Sequence, residues 1–129
     1  MPDIVTLGAT ATNDGILHIP GPTAAAAFAV ATSNVGAGAT ITFSADTGGV
    51  SLPLTINVCR TDPATGVCVT AIGPSVTVII AGNDTPTFGV FVTASGPVAA
   101  DYTNNRIIAR FRDSAGVTRG STSVAVTTE

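Results

Sequence analysis

Apolar and polar residues alternate along most of the chain, in short stretches broken about every 8–15 positions by Gly, Pro, Asn or Asp. Period-two runs of this kind describe strands that bury one face. Val5, Leu7, Ala9 and Ala11 share one face of a first strand that ends at Asn13-Asp14-Gly15. Ile16–Ile19 is a short second strand closed by Pro20-Gly21-Pro22. Thr23–Thr32 follows, with Phe28 and Val30 inward. Its four alanines, Ala24–Ala27, also suit a helix, but Phe28-Ala-Val-Ala-Thr32 alternates and no charge or cap supports a helical turn. Thr40–Ala45 turns Ile41, Phe43 and Ala45 inward. On the next strand Leu52, Leu54, Ile56 and Val58 point in, and Thr55, Asn57 and Cys59 point out. Val67–Thr70 returns beside it. Val76, Val78 and Ile80 form a further strand, and Phe88, Val90, Val92 and Ala94 line another. Ser95–Asn105 is the longest irregular segment, after which Arg106–Arg112 and Val117–Thr127 close as a hairpin. The pattern predicts one all-β domain spanning 1–129, an antiparallel two-sheet β-sandwich of about eight or nine strands.

Composition narrows the possibilities further. The 129 residues include 20 Ala, 21 Thr and 15 Val, but no Lys, Gln or Trp, one Glu and four Leu. Residues that lose little rotamer freedom in a helix are therefore scarce, which excludes a helical bundle, a coiled coil and an ordinary α/β enzyme. Charged residues make up 10% of the chain, against the usual quarter. With five arginines and a net charge of −3 there is no basic surface to replace phosphate counterions, so no nucleic-acid partner is expected. No apolar run reaches the length of a membrane helix, so no membrane insertion is expected either. Met1-Pro2-Asp3 lacks the basic start of a secretory leader, and the preferred reading is an excised module of a longer secreted protein.

Chemistry is sparse. Cys59 and Cys68 flank Thr61-Asp62-Pro63-Ala64-Thr65-Gly66, a turn-forming run. If the two cysteines pair directly across this hairpin, they stand within disulfide reach. Two thiols without a second pair or a neighbouring His make a poor zinc site, and the spacing is not Cys-x-x-Cys. A structural disulfide is the reading, with an oxidising compartment as its consequence. His18, the single histidine, is expected to be an outward strand residue rather than a base. The aspartates fall almost entirely in turns, which they favour by bonding their own backbone. Asp101, Tyr102, Asn104 and Asn105, in the longest loop, form a candidate ion or ligand site, although no loop concentrates acids as calcium requires. Arg106, Arg110 and Arg112 share one strand face, and a simple turn would set Arg119 opposite Arg110. Like charges so placed cost energy unless neutralised, so these four arginines form a candidate partner-contact face.

The hairpin Cys59-Arg-Thr-Asp-Pro-Ala-Thr-Gly-Val-Cys68, the strand Thr87-Phe-Gly-Val-Phe-Val-Thr-Ala94, the Asn104-Asn-Arg106 strand start and the ending Gly116-Val-Thr-Arg-Gly-Ser-Thr-Ser-Val-Ala-Val126 together resemble immunoglobulin-like repeat modules of large bacterial secreted or cell-surface proteins. The resemblance covers roughly Ala24 to the C-terminus. It implies an immunoglobulin-like topology, a bacterial origin and a spacer, stalk or adhesive role without catalysis. The buried Trp and widely spaced cysteines of antibody domains are missing.

The expectation is a non-enzymatic structural or adhesive module, extracellular or on the cell surface, with no cofactor and no metal. Its expected partners are neighbouring copies or modules of the same protein, or a surface ligand. The alternative is a self-assembling subunit of an extracellular fibre, pilus or virion surface, because few charges and no Lys leave strand edges unguarded. A carbohydrate-binding module is disfavoured, since Tyr102 is the one candidate for an exposed sugar platform. Isopeptide crosslinking is excluded by the absence of Lys.

Overall fold

The β-branched runs become nine strands in a computed structural model that describes all residues from Met1 to Glu129. In chain order these are β1 (Ile4–Ala9), β2 (Ile16–Ile19), β3 (Ala25–Asn34), β4 (Ala39–Asp46), β5 (Leu54–Thr61), β6 (Ser75–Ile80), β7 (Thr87–Ala94), β8 (Arg106–Arg112) and β9 (Thr118–Thr128). They form a four-stranded sheet, β1-β3-β7-β5, and a five-stranded sheet, β2-β9-β8-β4-β6. In chain order, β1, β3, β4, β5, β7, β8 and β9 take the places of strands A to G of a constant-type immunoglobulin fold, with sheets A-B-E-D and G-F-C. β2 and β6 are additions at the two edges of the five-stranded sheet.

The inward rows meet between the sheets. Phe28, Val30, Val58, Phe88, Val90 and Val92 from one sheet face Ile41, Phe43, Ile107, Phe111, Val124 and Val126 from the other, all buried. At the centre Phe43 stacks on Phe111 at 4.5 Å between ring centroids, and Phe88 reaches across from β7 to within 4.8 and 5.2 Å of the pair. Three rings thus occupy the middle of the sandwich, whereas antibody domains place a Trp against an inter-sheet disulfide there.

Three expectations are corrected. First, β2 pairs parallel with β9, from Ile16↔Ala125 to Ile19↔Thr128, although every other pairing is antiparallel. The cause is a change of sheet without a change of direction. β1 runs alongside β9, the Thr10–Gly15 turn carries the chain to the other sheet, and β2 continues the same way. Second, Val5, Leu7 and Ala9 lie on the outer face of β1, with Val5 57% and Leu7 68% exposed. Inward, β1 buries Ile4 but closes on β9 beyond it: a Cβ on Gly8 would sit 3.3 Å from Val124, and one on Gly120 would clash with the backbone of Ile4. Third, Val67–Thr70 is no strand. Only the isolated bridges Thr61↔Cys68 and Val58↔Gly73 join that segment to β5.

Phe43→Ala should cost about 3–5 kcal/mol, because a fully buried ring is removed from between two others. Urea unfolding with an unchanged denaturant slope is the check; a loss below about 1 kcal/mol would show that the centre can collapse around the gap.

Candidate functional site

The chemistry-bearing residues fall at four separate places. The first is the disulfide hairpin. Cys59 and Cys68 are bonded, with Cα atoms 5.8 Å apart and Cys59 fully buried. They do not stand directly opposite each other. The amide of Asp62 donates to the carbonyl of Val67 (2.8 Å) and that of Gly66 to Asp62 (2.7 Å), and this closure sets Thr61 against Cys68. The disulfide therefore reaches diagonally. It holds residues 68–73 along the outer edge of β5, where Val69 donates to Arg60 (2.8 Å) and Val58 to Gly73 (2.7 Å). Half of a sheet edge that would offer open N–H and C=O groups is thereby occupied. Disulfides of this kind persist in oxidising compartments and are rare in reducing ones.

The second is the arginine face. Arg110 grips Asp46 with two bonds, 2.8 and 3.2 Å, and Arg119 donates to Asp113 at 2.8 Å. Each carboxyl group is held below the usual carboxylate range, chiefly by its arginine. Arg119 does not oppose Arg110. A β-bulge between Phe111 and Arg112 pairs Arg110 with Ser121 and Arg112 with Thr118, which leaves Arg119 as the extra residue beside the turn. The uncompensated repulsion expected from a regular hairpin is absent. Arg106 donates to Ser123 Oγ (3.1 Å) and to the Tyr102 carbonyl (2.8 Å), and Arg112 makes only a long contact, 3.5 Å, with Ser44.

The third is the long loop. Asp101 accepts from the amide of Asn104 at 3.3 Å and from its side chain at 2.9 Å, which lowers the Asp101 pKa. Asn105 donates to the Ala99 carbonyl (3.0 Å), and Tyr102 is exposed. The four candidate residues form a self-bonded Asx turn with a single carboxylate.

The fourth place was not expected from the sequence. His18 lies between two carboxylates: Nε2 is 2.9 Å from Asp14 and Nδ1 is 2.5 Å from Glu129. The parallel β2–β9 pairing makes this possible, because it sets Glu129 beside Ile19, to whose carbonyl the Glu129 amide donates at 2.8 Å. The only sequence signal was Asp14 four positions before His18. Asp14 is lowered to about 2, first by the Thr12 hydroxyl and then by His18. The His18 pKa is raised, first by Asp14 and then by Glu129. The carboxylates sit on opposite nitrogens of the ring and share no point at which both could ligand one ion. The cluster acts as a clasp between the β1–β2 turn and the end of β9.

A further property belongs to a whole sheet face. The outward residues of β1, β3, β7 and β5 include Val5, Leu7, Ala27, Ala29, Phe91 and Thr55, and none of the outward row is charged. A depression of about 350 Å³ lies on this face, floored by Ala27, Ala29, Gly89 and Phe91 and walled by Ala9, Ala11 and Gly66.

No protein-family model matches the sequence, and no curated protein is similar to it. Solved structures do match. AvmM, which catalyzes macrocyclization in alchivemycin A biosynthesis, aligns over 95% of this chain and 89% of its own, with TM-score 0.51 and 12% identity. The sporulation control protein Spo0M of Bacillus subtilis aligns over 99% of this chain and 49% of its own, with TM-score 0.50 and 9% identity. The likeness is one of fold. The CARDB domain of the PF1109 protein from Pyrococcus furiosus matches at TM-score 0.47 and 14% identity, over 100% of this chain and 94% of its own. A macrocyclising enzyme and a sporulation control protein differ in what they do, as expected where function resides in sites placed on a shared scaffold.

Two outcomes follow from these contacts. Cys59→Ser/Cys68→Ser should lower the free energy of unfolding by about 2–3 kcal/mol and speed amide exchange at Val58 and Val69, as read by urea titration and hydrogen exchange. His18 supplies a pH signature. Because its folded pKa is raised, its contribution is complete below its unfolded value of 6.5 and is lost as pH rises through the raised folded value. Asp14 acts at the other end, losing its contribution as pH falls from 3.8 through about 2. The gap in thermal midpoint between the wild-type protein and His18→Gln should therefore be widest between these limits and shrink on either side. A pH-independent gap would show that the clasp is not ionic.

Proposed function

We propose that the chain is a non-enzymatic structural or adhesive module of an extracellular protein, of the immunoglobulin-like repeat kind found in bacterial secreted and cell-surface proteins. The observation that carries this reading is the uncharged outer face of the four-stranded sheet. Water-facing sheet faces normally carry polar and charged residues. Here Leu7 stands beside Ala31, and Ala27 and Ala29 are exposed next to a half-buried Phe91 and a buried Gly89, a surface of small and apolar groups. Contiguous apolar surface of this sort marks contact with another macromolecule. The occupant in this reading is a neighbouring module of the same low-charge composition, packed sheet on sheet at the usual spacing of about 10 Å.

The other features support this reading. The disulfide guards an edge in an oxidising medium. Arg110 and Arg119 are spent on internal ion pairs, so the opposite sheet keeps only Arg106 and Arg112 free of carboxylate partners.

Beads coated with the protein should cluster through this face. Val5→Lys/Leu7→Lys sets like charges against each other and should weaken clustering about tenfold or more, without a change in thermal midpoint. Equal clustering by the variant would overturn the assignment of this face.

A further inference from the structure

The sandwich has four edge strands, and three of them are blunted. The Val58–Thr61 half of the β5 edge is covered by residues 68–73. That of β1 lies against β9, with Thr6 Oγ1 donating to the Ser121 carbonyl and Gly120 pressed on Ile4. β2 is four residues long and ends at Pro20. β6 has no such cover. It pairs with β4 alone, from Ser75↔Ser44 to Ala39↔Ile80, and its main chain makes no bond beyond that ladder except at the Ile80 carbonyl, which accepts from Asn34. Its six residues, Ser-Val-Thr-Val-Ile-Ile, contain no charge, proline or glycine. Ile79 is 75% exposed on it. Natural sheets guard such edges with Lys, Pro, bulges or cover; β6 has none of these.

We propose that β6 is a docking edge through which two copies of this chain pair, antiparallel about a two-fold axis, joining two five-stranded sheets into one continuous sheet. Several observations select a second copy as the occupant. An antiparallel strand pair about a two-fold is self-complementary, so one uncharged β-branched strand is a sufficient partner for itself. The absence of charge on β6 means that the copy meets no like charge at the seam. A copy approaching the outer face of this sheet would instead meet Arg106 and Arg112, for which no carboxylate is at hand. Space is available too. A surface cleft of about 540 Å³ lies against Val78, its other walls mostly polar and including Arg60, Asp62, Thr70 and Asp84, and the inward side chains of an added strand would sit at its mouth. The disulfide hairpin thus shapes one wall of the cleft while covering half of the competing edge on β5.

The test is sedimentation across a concentration series, combined with hydrogen exchange on the β6 amides. The wild-type protein should sediment as a dimer, with the outward-pointing amides of β6 protected like those of interior strands. Thr77→Lys/Ile79→Lys places cations along the seam, and should give a monomer whose outward β6 amides exchange at least tenfold faster, with a thermal midpoint that no longer rises with protein concentration. Should the double variant fail to fold, Ile79→Lys alone changes one exposed side chain and serves in its place. Val5→Lys/Leu7→Lys should leave the dimer intact. A wild-type monomer with freely exchanging β6 amides overturns the proposal, as does a dimer that survives the β6 variants. Loss of the dimer in Val5→Lys/Leu7→Lys alone would transfer the contact to the neutral face. Beads coated with Thr77→Lys/Ile79→Lys, which lacks the edge contact, read clustering through the neutral face alone and keep the two contacts distinguishable.

Discussion

Phe88 crosses from one sheet to lie against the stacked pair of Phe43 and Phe111 on the other. The remaining core is mostly Val, Ile and Ala, which fill space but span little of the roughly 10 Å between packed sheets. The three rings are the only aromatic contacts bridging the sheets, and they tie β4, β7 and β8 together at one level. With the centre so filled, small residues can line the periphery. Gly8 and Gly120 let β1 close on β9, and the alanines of β3 leave its outer surface flat. A domain whose middle is held by aromatic packing needs no inter-sheet disulfide, and its one disulfide is free to shape an edge.

That distribution explains what was legible in the sequence. Phe28, Val30, Ile41, Phe43, Phe88, Val90, Val92 and Phe111 announced their burial through simple alternation, because each lies on a regular strand with one wet face. The turn residues Asn13, Asn83 and Gly116 all adopt positive φ, as their side chains or lack of one permit. What stayed hidden depends on pairing between distant segments. Alternation specifies two faces but not which one turns inward, so Val5 and Leu7 could not be placed without knowing how closely β1 approaches β9. A one-residue bulge removed Arg119 from its place opposite Arg110, and nothing at Phe111 or Arg112 signals it. The Asp14–His18–Glu129 cluster depends on a parallel pairing across more than a hundred residues. A residue beside its partner in space but far away in sequence leaves no local trace.

Charge is scarce in this chain, and its placement is correspondingly telling. Four of the five arginines lie on β8 and β9, and two of them are matched by turn aspartates. The outer surface of the opposite sheet has none. The two faces thus present different chemistry to their surroundings: one is polar, with two of its four arginines matched by aspartates, and the other carries no charge. The one sheet edge left open along its whole length belongs to the charged side, on a strand that is itself uncharged.

The parallel seam between β2 and β9 has a mechanical meaning. Tension applied through the first and last strands would pull β2 and β9 in opposite directions along a shared axis. The ladder from Ile16↔Ala125 to Ile19↔Thr128 would then be loaded in shear, with its hydrogen bonds strained together rather than opened one at a time. The His18 clasp lies across the same seam and is loaded with it. A hairpin pulled from its open end peels one bond after another; this seam has to yield as a unit.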